Sequence, residues 1–108
     1  LKQTFKRLAN ITKDHDSTAY DAGALAEPAE QVLHAALDEV RAAAAASAAA
    51  GDFGGALARL STLKGPVDAL FDAVMVMAED PQVRANRLGL LSAVGTAFRD
   101  VADFKHLS

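Results

Sequence analysis

Lys2, Lys6, Arg7 and Lys13 all lie within the first thirteen residues, and no acid precedes Asp14. On a helix advancing about 100° per residue, Lys2, Lys6 and Lys13 share a side roughly opposite Leu8 and Ile11. Arg7 flanks Lys6, and Asn10 lies near them. Cations so placed can neutralise the phosphates of a nucleic-acid backbone, and an asparagine amide can hydrogen-bond a base edge. The same pattern also describes the solvated side of a helix that buries its apolar residues. Arg99 and Lys105 join this patch if the two chain ends meet. Phe5 is expected in the core rather than as a stacking platform.

A second group of charges sits where apolar residues are expected. In the last third of the chain Val83, Leu90, Leu91, Val94, Phe98 and Val101 form one helical stripe, with Arg87 inside it and Arg84 at its edge. Ser92, Thr96, Arg99, Asp100 and Asp103 read as the polar face. A buried arginine needs a partner. Asp68 and Asp72 lie four residues apart on a largely apolar segment, where like charges repel modestly. The expectation is a structural clamp in which Arg84 or Arg87 bridges to Asp68 or Asp72; direct ligand contact by the same quartet is the alternative.

Catalytic chemistry finds little support. Carboxylates beside arginines stay ionised, which disfavours acid–base work by the aspartate pair. His15, His34 and His106 share no metal-ligand spacing, and Ser47, Ser61 and Ser92 lack a nucleophile elbow. "GDFGG" has neither the lysine nor the preceding strand of a phosphate-cradling loop. Met75 and Met77 read as core filler. No catalytic residue and no metal site is assigned.

The elements that must position these residues are helical. Phe5, Leu8, Ala9 and Ile11 give a first helix from Lys2 to about Thr12, and Lys13 to Ala26 reads as a loop anchored by Tyr20 and Leu25. Glu27-Pro28 starts a long helix carrying Val32, Leu33, Ala36, Leu37 and Val40, which continues through "RAAAAASAAA" to a stop at Gly51. Asp52 caps a third helix with Phe53, Leu57, Leu60 and Leu63. Gly65-Pro66 ends it and opens a fourth, Val67 to about Ala78. Asp80-Pro81 opens a fifth, running to about Phe104. Short loops favour antiparallel neighbours, so the fold class is an all-α antiparallel bundle of about five helices.

Composition agrees. The 108 residues are 51% hydrophobic and 23% charged, with a net charge of −3, enough for one domain and no more. With no cysteine there is no disulfide, thiolate catalysis or cysteine-bound metal. No apolar run reaches the roughly 20 residues of a membrane span. A pI near 5.5 leaves room only for a local cationic patch, not a broad nucleic-acid surface. A start at Leu1 is expected of a fragment of something longer.

"PVDALFDAVMVMAEDPQVRANRLGLLSAVGTAFRDVADFKHL", Pro66 to Leu107, resembles the carboxyl end of the β subunit of bacterial heterotetrameric glycyl-tRNA synthetase. That family's pattern is proline-valine-aspartate, two aromatics, aspartate, "VMVMA", an acidic turn, "R-N-RL-LL" and "VADF-L"; Leu70-Phe71 departs mildly from the aromatic pair. "KRLANI" and "ALAEPAEQVLHAAL" are similar to earlier parts of the same region. The resemblance implies an all-helical anticodon-binding domain of the DALR type, at the carboxyl end of a longer subunit. It implies glycine tRNA, the remainder of the β subunit and the α subunit of a heterotetramer as partners, in the cytoplasm, with no membrane and no DNA. It further implies that ATP and Mg are used by the α subunit, that this fragment holds no cofactor, and that alone it is non-catalytic. Under it, Lys2, Lys6, Arg7, Asn10 and Lys13 become the candidate tRNA-binding residues. A helical interaction domain that serves subunit assembly without touching RNA is the alternative.

Overall fold

The chain folds as α1 (Lys2–Thr12), a 3₁₀ turn (Ala22–Ala24), α2 (Pro28–Ala49), α3 (Phe53–Ser61), α4 (Lys64–Ala73) and α5 (Pro81–Leu107). This is a computed structural model that describes residues 2–13, 15, 20–25, 27–74, 76 and 79–107, with 2, 22 and 101–107 described as backbone alone. Among the described residues there is no strand, so the all-α expectation holds. Met75, Met77 and residues 14, 16–19 and 26 of the 13–26 segment lie outside the described residues, as do the side chains of Lys2, Val101, Asp103 and Lys105.

Pro28 opens α2 where its missing N–H costs nothing. Glu30, Leu33, Leu37, Ala44 and Ala48 form its buried stripe, and α3, α4 and α5 all pack against it. The alanine half keeps the helix slender where its neighbours approach. Gly51 follows with φ +86°, the left-handed conformation that ends helices and favours glycine. Val32, expected in the core, is 56% exposed: it lies one step off the stripe that Leu33 and Leu37 set.

Asp52 caps α3, its carboxylate accepting from the Gly55 N–H at 2.9 Å. A Cβ on residue 55 would collide with that carboxylate, so Gly55 is what makes the cap possible. Gly55→Ala alone should therefore change stability little, because up to about 1 kcal/mol of helix propensity is offset by a cap worth about 1 kcal/mol. In an Asp52→Ala background the same change should stabilise; urea denaturation of the four variants checks the reversal. Within α3 it is Ala56 and Leu60 that are buried, while Leu57 is 43% exposed, against the expectation that it belongs to the core.

The joint between α3 and α4 differs from the expected reversal at Gly65-Pro66. Thr62 (φ −65°, ψ −15°) and Leu63 (φ −73°, ψ −11°) both keep right-handed helical backbone, so the chain bends through an elbow instead of doubling back. Leu63 is fully buried there, and Pro66 falls in the first turn of α4, where proline is tolerated. α4 also ends earlier than expected. Val74 is extended (φ −134°, ψ 154°), and Val76, beyond it, is buried. In this apolar run extension at β-branched Val74 carries Val76 into the core.

Asp80 caps α5, accepting from the Gln82 N–H at 2.9 Å. At 1.5 Å per residue, the 27 residues of α5 account for most of the 43 Å long dimension of the molecule. Residues 88–94 are all buried, because α1 covers one side of α5 and α2 with α3 the other. Ser92, expected on a polar face, is thus 6% exposed. The loop anchors are as expected. Leu25 is buried, and the Tyr20 hydroxyl meets His34 Nδ1 at 2.6 Å. His34 Nε2 faces Asp38 at 3.4 Å, which leaves Nδ1 to accept from the tyrosine. Asp21 and Asn86 exchange two further hydrogen bonds that hold the loop to α5.

Candidate nucleic-acid interface

The predicted clamp exists with a different carboxylate. Arg87 donates from Nε and Nη2 to Glu30 Oε1 at 3.2 and 3.1 Å, with side-chain exposures of 12% and 4%. The reason lies in the packing. Glu30 extends the Leu33/Leu37 stripe of α2 by one turn and so meets α5 in the core, whereas Asp68 faces α1. Asp68 accepts from Lys64 Nζ and from the Thr4 hydroxyl, each at 2.7 Å. A cation does sit beside Asp68, but it comes from its own helix. Arg84 also has bonding partners. Asp72 is exposed and shares a groove with Arg7.

The Lys64 and Thr4 hydrogen bonds, in that order of weight, hold the Asp68 carboxyl below the usual carboxylate range. A lowered folded-state pKa stabilises the fold above the unfolded-state value, and the contribution disappears as pH falls through the folded-state value. Thr4→Val should move the Asp68 titration back upward; carboxyl ¹³C shifts against pH would show it. No upward movement would mean that Thr4 ties α1 to α4 without affecting the charge.

α1 rests on α5 and α4. Buried Leu8 and Thr4 and half-buried Phe5 and Ile11 hold it there. The Phe5 ring meets Phe98 with centroids 4.4 Å apart, which places Phe5 in packing as expected. Lys6, Arg7, Asn10 and Lys13 are exposed. Among the described residues, no carboxylate forms an ion pair with Lys6, Arg7 or Lys13. The structure therefore brings four of the five candidate residues onto one outer side; the Lys2 side chain lies outside the described residues.

Two grooves flank this ridge. On the α4 side the Arg7 guanidinium lies 4.2 Å from the centroid of Phe71, in a groove of about 510 Å³ that also includes Ile11, Asp72 and Val76. On the α5 side lies a cleft of about 790 Å³ walled by Phe5 and Phe98, with Lys13 and Arg99 among its lining. The first and last helices, α1 and α5, meet here, and Arg99 lines the same cleft as Lys13; the Lys105 side chain lies outside the described residues. His15 and Ser92 also line the cleft, and among the described residues the buried His15 Nε2 and Ser92 Oγ have no hydrogen-bond partner. Sequence reasoning passed over Ser92 because a helical wheel puts it with Thr96 and Arg99; the signal available was the near-continuous apolar run around it. Among the described residues no cluster of His, Asp or Glu is arranged to hold a metal ion, and no helix is long and apolar enough to cross a membrane.

Among the described residues the class is all-helical, and α1 presents exposed cations, none in an ion pair with a carboxylate, between two aromatic-lined grooves. Comparison with known proteins makes the class specific: residues 1–104 match the DALR anticodon binding domain, and the chain belongs to that family. It is 50% identical over 106 residues to the glycine–tRNA ligase beta subunit of Leptothrix cholodnii, covering 95% of this chain and 15% of that protein. To the beta subunits of Anaeromyxobacter dehalogenans and Citrifermentans bemidjiense it is 46% and 44% identical, over 99% and 100% of this chain and 16% of each relative. The chain thus spans under one-sixth of the length of these curated relatives. No solved structure matches it.

Proposed function

We propose that this chain is the anticodon-loop-binding domain of a glycine–tRNA ligase β subunit. In this reading it orients glycine tRNA for ATP-dependent ligation of glycine by the assembled enzyme in the cytoplasm. The remainder of β and an α subunit are its protein partners, and ATP and Mg serve the α subunit. The observation that carries the reading is the outer side of α1, where Lys6, Arg7 and Lys13 are exposed beside Asn10 and, among the described residues, form no ion pair with a carboxylate. Exposed cations without such a pair can track phosphates, while the flanking grooves offer aromatic and polar groups to unstacked bases. Family membership and the similarity to glycine–tRNA ligase beta subunits support the same reading.

Adding a glycine-tRNA anticodon stem-loop to isotopically labelled protein should shift the backbone amides of residues 6–13 and leave those of residues 42–50 unmoved. The opposite pattern would favour a second reading, a domain that serves assembly alone. Val32 and Leu57, exposed on α2 and α3, are the observation behind that reading, since they offer an apolar contact for another part of the enzyme.

A further inference from the structure

We propose that the groove between α1 and α4 reads one unstacked RNA base. The Arg7 guanidinium, backed by the Phe71 ring, stacks on the base, and the Asp72 carboxylate accepts from its exocyclic amino group. The inference rests on the anticodon-loop reading and adds how a base is told from uracil, which has no amino group. Asp72 is an acid of the expected clamp that the observed one does not use: Arg87 binds Glu30, and Asp68 accepts from Lys64 and Thr4. Asp72 is instead exposed, and it lines a groove of about 510 Å³ together with Arg7, Ile11 and Phe71. A carboxylate there opposes phosphate, so it keeps the groove from serving as one more backbone contact. What it can bind is a donor, and aspartate accepting from a base amino group is a recognised pairing between side chains and base edges.

The stack supplies the rest of the recognition. The Arg7 guanidinium lies over the Phe71 ring, 4.2 Å from its centroid, within the range where a cation is attracted to the ring face. Half-buried Ile11, Phe71 and Val74 give the groove an apolar floor, while Arg7 and Asp72 are both exposed, so the reading groups meet solvent. A planar guanidinium anchored in this way can stack an unstacked base and still turn its N–H edge to the flanking phosphate. Lys6 and Asn10, exposed on the same helix, continue the path of the strand.

Asp72→Asn separates base reading from a plain charge effect. Wild type and variant are titrated with the glycine-tRNA anticodon stem-loop and with stem-loops in which each amino-bearing anticodon base is exchanged in turn for uracil. At one position the exchange should cost the wild type about tenfold or more in affinity, the loss of one charge-assisted hydrogen bond. In Asp72→Asn that ratio should fall to about threefold or less, because an amide can accept from an amino group or donate to a uracil carbonyl. The glycine loop should bind the variant more weakly than the wild type, and the uracil loop more tightly. Removing a charge alone would strengthen both loops alike. That result, or a ratio unchanged from the wild type, would overturn the proposal while leaving the anticodon-loop reading in place. Asp72 is exposed, so the variant should melt within about 4 °C of the wild type. Arg7→Lys keeps the charge and should weaken both loops by a similar factor, because stacking tolerates any base; unchanged affinities there would overturn the stack. A wild type that binds none of the loops would overturn both the proposal and the reading beneath it.

Discussion

Arg87→Ala should unfold the domain, or lower its melting temperature by more than about 12 °C. Arg87 and Glu30 form an ion pair within the core, two guanidinium nitrogens on one carboxylate oxygen. Breaking such a pair by removing one member typically costs about 3–5 kcal/mol, because the other charge is left buried and uncompensated. In a domain of this size 1 kcal/mol corresponds to about 4–8 °C. Glu30 also sits in the first turn of α2, where the helix dipole favours a negative charge, so Glu30→Gln should be destabilising as well. The informative comparison is the double variant Glu30→Leu/Arg87→Met. Well-packed apolar replacements of a buried pair are often neutral or stabilising, so thermal unfolding by circular dichroism should show the double variant well above Arg87→Ala. Wild-type stability in Arg87→Ala would mean that the pair ties α2 to α5 only incidentally.

Replacing Lys6 and Arg7 together by alanine should weaken binding of an anticodon stem-loop by about tenfold near physiological salt. Three or four cations on phosphates of a single strand give a logarithmic salt slope of about −2 to −3, and losing two should make it shallower by about 1.4. The fold should survive, since both residues are exposed. Arg7→Lys is the control for the Phe71 contact: it keeps the charge and loses the flat guanidinium that lies over the ring. Anisotropy titrations across a salt series would report both quantities. An unchanged slope in the double variant would remove α1 from the RNA-facing surface.

Element boundaries were legible where a residue has only one comfortable position. Pro28, Gly51, Asp52 and Asp80 each mark a helix end through proline's missing donor, glycine's positive φ or a short side chain that caps. "VMVMA" carries no such mark, and its apolar run reads equally as helix; only packing decides that Val74 extends and Val76 turns inward. The elbow at Thr62 and Leu63 was hidden by the stronger punctuation of Gly65-Pro66 just downstream. Arg87 was identifiable as a charge needing a partner because it falls within an apolar stripe. Its partner was not, because which carboxylate it meets depends on how α2 crosses α5. Glu30 offered a usable signal, since counting back from Leu37 and Leu33 puts it on the same stripe. The cationic side of α1 follows directly from its periodicity, whereas the cleft beside it needs α5 in place and so could not be read from either helix alone.

The most direct measurement is a fluorescence-anisotropy titration of this chain against a glycine-tRNA anticodon stem-loop, beside a stem-loop of the same stem with its anticodon exchanged. The glycine sequence should bind more tightly, and both complexes should weaken as salt is raised. Equal affinity for the two loops, or none for either, would contradict anticodon reading by this domain.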